Sequence, residues 1–314
     1  MLFFYNGCSS DSSIKTLRLA HALDTGHSVH KAMVLMGEEL EELSGGSIKL
    51  QIYPSQQLGA ERELLELVQL GSIDITKTSA AVVESFVPEF KVFSIPYLFK
   101  TDEHMLATIN GGIGRQILES SIEYRFRGLT YYDSGKRSFY TKDRKVETPE
   151  DLKGLKIRTQ ASNMAIRLVN NYGAAGTPIP FGELYSALQQ GVVDGAENNP
   201  PSFYLTRHYE VCKYYVLNEH TSVPDILLIS ENTWQRLSEE EKGWVKTAAE
   251  KSRVFQFELW DKSEKDALNA VIAAGVEVIV PDKEPFIKQA ESLVESMLQD
   301  TILKSLYNKI QELE

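Results

Sequence analysis

The chain has 314 residues, of which 42% are hydrophobic and 25% are charged, and these proportions are typical of a folded globular protein. Two domains with separate cores fit within this length. The net charge of −11 argues against nucleic acid and anionic membrane surfaces as partners, because both are bound by basic faces. An anionic ligand would therefore have to be held by cations placed locally around it.

The first residues show features of an export signal. Residues 1–5 are largely apolar, and Gly7 and Cys8 follow, which resembles the end of a bacterial lipoprotein signal. The basic segment of such signals is missing, so two interpretations stay open: a truncated or mis-started export signal, or a tail without a function. We predict that residues 1–13 are a leader remnant or tether, with Cys8 a candidate for lipid attachment. The other cysteine is Cys212, and no structural disulfide is expected.

The first part of the chain alternates between strand and helix patterns. Apolar alternation predicts strands over 17–20, 48–52 and 73–76, and helical spacing predicts helices over 29–43 and 61–70. Strands that alternate with helices are typical of an α/β fold with a parallel sheet.

A second run of strand and helix patterns points to a binding site. Residues 155–158 alternate as a strand that ends on Arg158, and 183–190 have helical spacing before Gly191. A second strand is predicted from Val192 to residues 197–199, where two prolines stop it. Ligands bind at the carboxyl ends of strands in open α/β sheets, and Arg158 and Asn198 stand at such ends. Their donors and acceptor suit a carboxylate that also carries hydroxyl groups.

The end of the chain is predicted to be largely helical. Residues 238–274 contain no proline and begin with a sequence similar to a capping box, which predicts one long helix or two collinear helices. Such a helix would reach both halves of the molecule, because each residue adds about 1.5 Å. Further predicted elements are strands at 136–141, 226–230 and 276–280, and helices over 285–300 and from Thr301.

Four segments, in order along the chain, resemble the DctP-type substrate-binding proteins of tripartite ATP-independent periplasmic (TRAP) transporters. They are YPSQQLG at 53–59, FSIPYLF at 93–99, DLKGLKIR at 151–158 and LQQGVVDGAEN at 188–198. The resemblance implies an α/β two-domain clamp, like that of periplasmic binding proteins, with a long helix shared by both domains. The expected domains are 14–134 plus 224–263, and 135–223 plus 264–314. The resemblance also implies capture of a small organic anion in the cleft and delivery to a membrane permease.

Site residues follow from the same resemblance. The arginine that clamps the ligand carboxylate matches Arg158, a second arginine on the ligand side matches Arg137, and the cleft asparagine matches Asn198. Glu197 is expected to orient an arginine, and Gln160, just past the strand of Arg158, is a further candidate. Each arginine has a plainer interpretation as a surface residue that pairs with an acidic neighbour.

The ligand class follows from two more segments, 21–31 and 197–204, which resemble the subgroup that binds hexuronates such as glucuronate and galacturonate. Sialic acid binders of this family have an arginine in the segment that here reads AVVE at 81–84, and its absence argues against sialic acid. We expect Glu84 to accept hydrogen bonds from sugar hydroxyls, or else to be a solvated helix residue. The histidines that are candidates for hydroxyl contacts, or for ordinary packing, are His21, His27 and His220.

Other functions stay open at this stage. The clamp could hold another organic acid, such as an aldonate or a dicarboxylate, or it could sense a ligand for a signalling partner. An enzyme acting on uronates would need an acid and a base poised over the substrate, and no such motif is recognisable. His27 and His30 have a spacing that metal ligation would permit, but no cluster completes a site. We therefore predict a monomeric binding protein without catalysis, cofactor or metal.

Overall fold

The computed structural model describes residues 14–313, so the predicted leader with Cys8 lies outside the described part of the chain. Eleven strands occur in the described residues, and they form two sheets. The strands are β1 (Lys15–Ala20), β2 (Ile48–Tyr53), β3 (Ile75–Ser79), β4 (Phe126–Tyr132), β5 (Arg137–Thr141), β6 (Lys156–Thr159), β7 (Ala175–Pro178), β8 (Gly195–Asn198), β9 (Tyr214–Thr221), β10 (Asp225–Ser230) and β11 (Glu277–Ile279).

Twelve α-helices lie in the same part of the chain, together with short 3₁₀ turns. They are α1 (Ser28–Leu43), α2 (Glu61–Leu70), α3 (Ala80–Val83), α4 (Asp102–Asn110), α5 (Gly112–Ser120), α6 (Asn163–Asn171), α7 (Leu184–Gln189), α8 (Pro200–Leu205), α9 (Glu231–Arg236), α10 (Glu239–Ala273), α11 (Glu284–Met297) and α12 (Thr301–Gln311).

The two sheets share one topology. The five-stranded sheet has the order β2-β1-β3-β10-β4, and the six-stranded sheet has the order β11-β9-β5-β8-β6-β7. In each sheet a β-α-β-α-β unit places its first strand in the middle, and a strand from elsewhere in the chain pairs antiparallel with the third. We call the first sheet with its helices the first lobe and the second sheet with its helices the second lobe. The α/β prediction is confirmed.

The long helix α10 connects the lobes. Ser238 and Glu241 form a capping box at its start, which satisfies backbone N–H groups that a helix leaves open there. Val245 and Ala248 are buried in the core that also contains α1, and farther along Leu259 lies beside α8 of the second lobe. The helix has 35 residues, so it measures about 52 Å at 1.5 Å per residue. The prediction of a long helix shared by both lobes is confirmed.

The last helix departs from the expected domain division. The apolar face of α12, formed by Leu303, Leu306 and Ile310, is buried. The helix packs against α5 of the first lobe, and the carbonyl of Ile310 lies 2.8 Å from the imidazole Nε2 of His104. The expected second domain, 264–314, therefore sends its final helix back to the first lobe. Burial of this apolar stripe accounts for the return.

Element boundaries near the site also differ from prediction. The third strand runs over Ile75–Ser79 rather than 73–76, and the strand predicted from Val192 begins only at Gly195. The two prolines after β8 open α8, where Asn199 caps the helix by accepting a hydrogen bond from the backbone of Ser202. Proline suits the first helical turn because its missing N–H has no partner there.

No helix within residues 14–313 combines the length and the apolar character needed to cross a bilayer. The same residues contain no cluster of three or more histidine, cysteine or acidic side chains arranged to hold a metal ion.

Candidate functional site

A cleft opens between the lobes at the carboxyl ends of β6 and β8. These strands are parallel neighbours, so their ends meet at one edge of the sheet, as expected for a ligand site. The first lobe faces them with the end of β3 and the start of β10. The polar side chains along the cleft include Glu61, Lys77, Ser79 and Asp225 of the first lobe, and Arg137, Arg158, Gln160 and Asn198 of the second.

Arg158 holds a positive charge that has no counter-ion among residues 14–313. Its Nε donates to the carbonyl of Ile179 at 2.8 Å, and its guanidinium carbon lies 5.7 Å from the ring centre of Phe181. The Nη1 atom is buried and has no hydrogen-bond partner within residues 14–313, and no carboxylate there forms an ion pair with this side chain. Burial lowers the pKa of Arg158 from its ordinary value. A buried cation with a free donor suits an anionic ligand.

Arg137, in contrast, is already neutralised. Its guanidinium donates to both carboxylate oxygens of Glu197, with Nη2 at 2.8 Å from Oε1, and its Nη1 lies 2.9 Å from Oδ1 of Asn198. Burial disfavours the charge of Glu197, but the charge of Arg137 and hydrogen bonds from His220 and Arg137 outweigh it and hold the pKa of Glu197 at about 2. Glu197 thus contacts and orients an arginine, as expected from the sequence. Arg137 can offer a ligand its remaining donor but little net charge.

The side chains of Asn198 and Gln160 line the cleft. The side-chain oxygen of Asn198 is occupied by Arg137 and by the backbone N–H of Asn199, each at 2.9 Å. Its amide nitrogen has no protein partner in the described chain and is left for a ligand. The oxygen of Gln160 accepts from the hydroxyl of Ser79 at 3.4 Å, which joins the lobes across the cleft.

Glu84 does not line the cleft. Its Oε1 accepts from the Ser162 hydroxyl at 2.6 Å and from the Met164 backbone N–H at 3.1 Å, and its Oε2 accepts from the Ser94 hydroxyl at 2.8 Å. Ser162 is the N-cap of α6, so a carboxylate of the first lobe rests on a helix N-terminus of the second, where negative charge is favoured. Burial raises the pKa of Glu84 from its ordinary value, against these hydrogen bonds. The expected contact with sugar hydroxyls is corrected to a contact between lobes.

The three candidate histidines also lie outside the part of the cleft next to Arg158. His27 caps α1 by accepting from the backbone of Val29, and the ring of His21 accepts from the backbone of Leu23 and lies against His30. His220 stacks on Phe139 behind Glu197, with 4.4 Å between the ring centres. Burial is the main cause that lowers the pKa of all three histidines, so neutral rings are favoured. His21 and His27 serve capping and packing, whereas the imidazole Nε2 of His220 lies 3.7 Å from Glu197 and its ring lines a second cavity between the lobes with Arg137 and Gln160.

The sequence-based prediction missed three charged residues of the first lobe. Lys77 is almost fully buried on β3, and its ammonium lies 3.0 Å from Asp225 and 3.5 Å from Glu61. All three line the cleft. The sequence signal that could have revealed them is a lysine directly after the predicted strand 73–76, because β3 extends over it as Ile75–Ser79.

Comparisons with known proteins are consistent with this geometry. Residues 19–301 match the DctP family, described as bacterial extracellular solute-binding protein, family 7. The protein YiiZ of Salmonella typhimurium is 41% identical over 297 residues, which cover 94% of this chain and 90% of that protein.

Two solved structures are also similar to this one. A TRAP periplasmic solute binding protein from Anaerococcus prevotii with bound α/β-D-glucuronate has a TM-score of 0.93 and 36% identity, covering 95% of this chain and 97% of that one. A TRAP periplasmic solute binding protein from Xanthobacter autotrophicus with bound β-D-galacturonate has a TM-score of 0.92 and 36% identity, covering 95% of this chain and 100% of that one.

Proposed function

Because this chain belongs to the DctP family of bacterial extracellular solute-binding proteins, we propose that it captures a hexuronate, glucuronate or galacturonate, in the cleft between its lobes. It is a periplasmic receptor that delivers its ligand to a TRAP permease, and it is not an enzyme. The observation that carries the choice of ligand is the buried guanidinium of Arg158, which has a free donor and no carboxylate partner in the described chain. Similar proteins solved with glucuronate and galacturonate support the same choice.

In the proposed complex, Arg158 binds the sugar carboxylate through charge-assisted hydrogen bonds, which are stronger than neutral ones. The amide nitrogen of Asn198 and the remaining donor of Arg137 bind the carboxylate or the neighbouring hydroxyls. Glu197 neutralises and orients Arg137, so that only one uncompensated cation meets the ligand. This arrangement favours a monoanion.

Closure of the clamp depends on contacts that cross the cleft. Gln56 of the first lobe accepts from the backbone N–H of Gly182 at 2.7 Å, Ser79 donates to Gln160, and Glu84 binds the N-terminus of α6. These contacts would be broken if the lobes separated to admit a ligand. A ligand that contacts both lobes therefore stabilises the closed state, because it gains interactions that the open state lacks. We propose hinges at the crossovers near 134–135 and 223–224, with α10 bending between Trp260 and Glu264 as the lobes approach.

Substitution of Glu84 with alanine should weaken uronate binding, although Glu84 does not contact the ligand in the proposed complex. The change removes three hydrogen bonds to a buried carboxylate, and we expect a loss of about 1.5–3 kcal/mol, or roughly ten- to a hundredfold in Kd. Isothermal titration calorimetry measures the effect, and Glu119→Ala on the exposed side of α5 is the matched control. Equal Kd values for Glu84→Ala and the control would show that this contact does not support closure.

Lipid attachment through Cys8 stays a proposal that rests on the sequence pattern alone. It predicts that protein expressed from its full gene partitions into the detergent phase of Triton X-114 and carries a diacylglyceryl mass on Cys8. A Cys8→Ser variant should move to the aqueous phase. Recovery of both forms in the aqueous phase would contradict the proposal.

A thermal-shift panel tests the proposed ligand class. Glucuronate and galacturonate at a hundredfold excess over Kd should each add about 2.7 kcal/mol to the free energy of unfolding. Glucose and galactose, which have the same ring without the carboxylate, should add nothing measurable. Stabilisation by aldonates or short dicarboxylates, and not by uronates, would replace the proposed ligand with another organic acid.

A further inference from the structure

Three charged side chains of the first lobe form a cluster that has no role in the proposed binding of the sugar carboxylate by Arg158. The ammonium of Lys77 lies 3.0 Å from Asp225 and 3.5 Å from Glu61, and we call these three residues the Lys77 cluster. They come from the middle of β3, the start of β10 and the first residue of α2, so three elements hold the group in place. Lys77 and Asp225 are buried, and all three line the cleft that Arg158 lines from the other lobe.

The net charges on the two sides of the cleft differ in sign. Arg158 contributes one positive charge without a carboxylate partner in the described chain. The Lys77 cluster combines one ammonium with two carboxylates, which leaves it one negative charge. Arg137 and Glu197 cancel. The ligand that fits such a cleft is negative at one end and rich in hydrogen-bond donors at the other.

We propose that the Lys77 cluster binds the end of the sugar opposite its carboxylate, and that it selects monoacid uronates against aldarates, the open-chain diacids in which carbon 1 is also oxidised to a carboxylate. The proposal rests on the proposed function, since it assumes that Arg158 takes the first carboxylate. Asp225 and Glu61 accept hydrogen bonds from hydroxyls, which are donors, whereas a second carboxylate offers only acceptors. Lys77 donates to a ring or hydroxyl oxygen.

Rejection of the aldarate comes from repulsion within a buried site. A carboxylate placed against the Lys77 cluster would meet two like charges, and such contacts at desolvated interfaces cost several kcal/mol. We expect the wild-type protein to prefer galacturonate over galactarate by at least about a hundredfold. Specificity of this kind uses an unfavourable contact with the wrong ligand as well as favourable contacts with the right one.

Calorimetry with both ligands tests the proposal on three variants. Asp225→Asn removes one carboxylate, Glu61→Gln removes the other while leaving the Lys77–Asp225 contact, and Glu66→Gln makes the same change on an exposed turn of α2. The first two should bind galacturonate more weakly and galactarate more tightly, so that the preference falls by at least about tenfold. Glu66→Gln should keep the wild-type preference.

Two different failures can be told apart. If wild-type protein binds galacturonate through Arg158, but both cluster variants keep the preference of Glu66→Gln, the selectivity proposal is overturned and the proposed function stands. If wild-type protein binds no uronate, the proposed function falls and the selectivity proposal falls with it. Thermal melts without ligand establish that each variant is folded, and should Asp225→Asn not fold, the preference measured for Glu61→Gln decides the question.

Discussion

Replacement of Arg158 with methionine is expected to abolish uronate binding while leaving the unliganded protein at least as stable as wild type. The ligand carboxylate would lose its buried counter-ion, and stranding one member of such a pair costs about 3–5 kcal/mol, or roughly a hundredfold to several thousandfold in Kd. In the unliganded protein, however, Arg158 is a buried cation without a carboxylate partner among residues 14–313, and burial lowers its pKa. An apolar side chain of similar length removes that desolvation cost.

The two effects are measured by calorimetry and by thermal unfolding without ligand. Arg158→Lys should not restore binding, because a lysine lacks the planar pair of donors that matches a carboxylate. Arg167→Met, on the exposed side of α6, is the control for loss of an arginine. Wild-type affinity in Arg158→Met would show that Arg158 does not bind the ligand. If this variant fails to fold, the charge of Arg158 has a structural partner in the wild-type protein.

Substitution of Glu197 with alanine should produce the largest loss of stability. Arg137 is buried beside Glu197, and removal of the carboxylate leaves its charge uncompensated. We expect the free energy of unfolding to fall by about 3–5 kcal/mol at pH 7. Urea denaturation of Glu197→Ala against Glu119→Ala, an exposed substitution of the same kind, measures the loss. A loss equal to that of the control would mean that Arg137 finds another counter-ion.

The same pair gives stability a defined dependence on pH. The pKa of Glu197 is held at about 2, below its ordinary value of 4.5, so the folded state favours the ionised carboxylate. The contribution of this ion pair to the free energy of unfolding is complete above the pKa that Glu197 has in the unfolded state. It is lost as the pH falls from about 4.5 toward 2. Wild type should therefore lose more stability than Glu197→Gln over this interval.

Local patterns were sufficient to predict most of the second lobe's binding edge. The alternation that ends near Arg158 and the strand that delivers Asn198 are properties of neighbouring residues, and both side chains lie in the cleft. The capping sequence at Ser238 likewise identified α10. Segments 54–74 and 178–194 both run from a proline through an apolar helix and a glycine to an aspartate, and they connect equivalent strands in the two sheets.

Residues whose role depends on distant partners could not be assigned in this way. Glu84 lies 78 positions from Ser162 and meets it only when the lobes come together. Lys77 meets Asp225, 148 positions away, only through the pairing of β3 with β10. His27 caps a helix through its ring, although serine, threonine, aspartate and asparagine are the usual residues at that position. Spacing along the chain indicates none of these contacts.

The most direct measurement is a crystal structure of the protein with bound glucuronate. It should place both carboxylate oxygens within hydrogen-bond distance of the Arg158 guanidinium, with the far hydroxyls against the first lobe. A ligand carboxylate bound elsewhere, with Arg158 directed into bulk solvent, would contradict the proposed site.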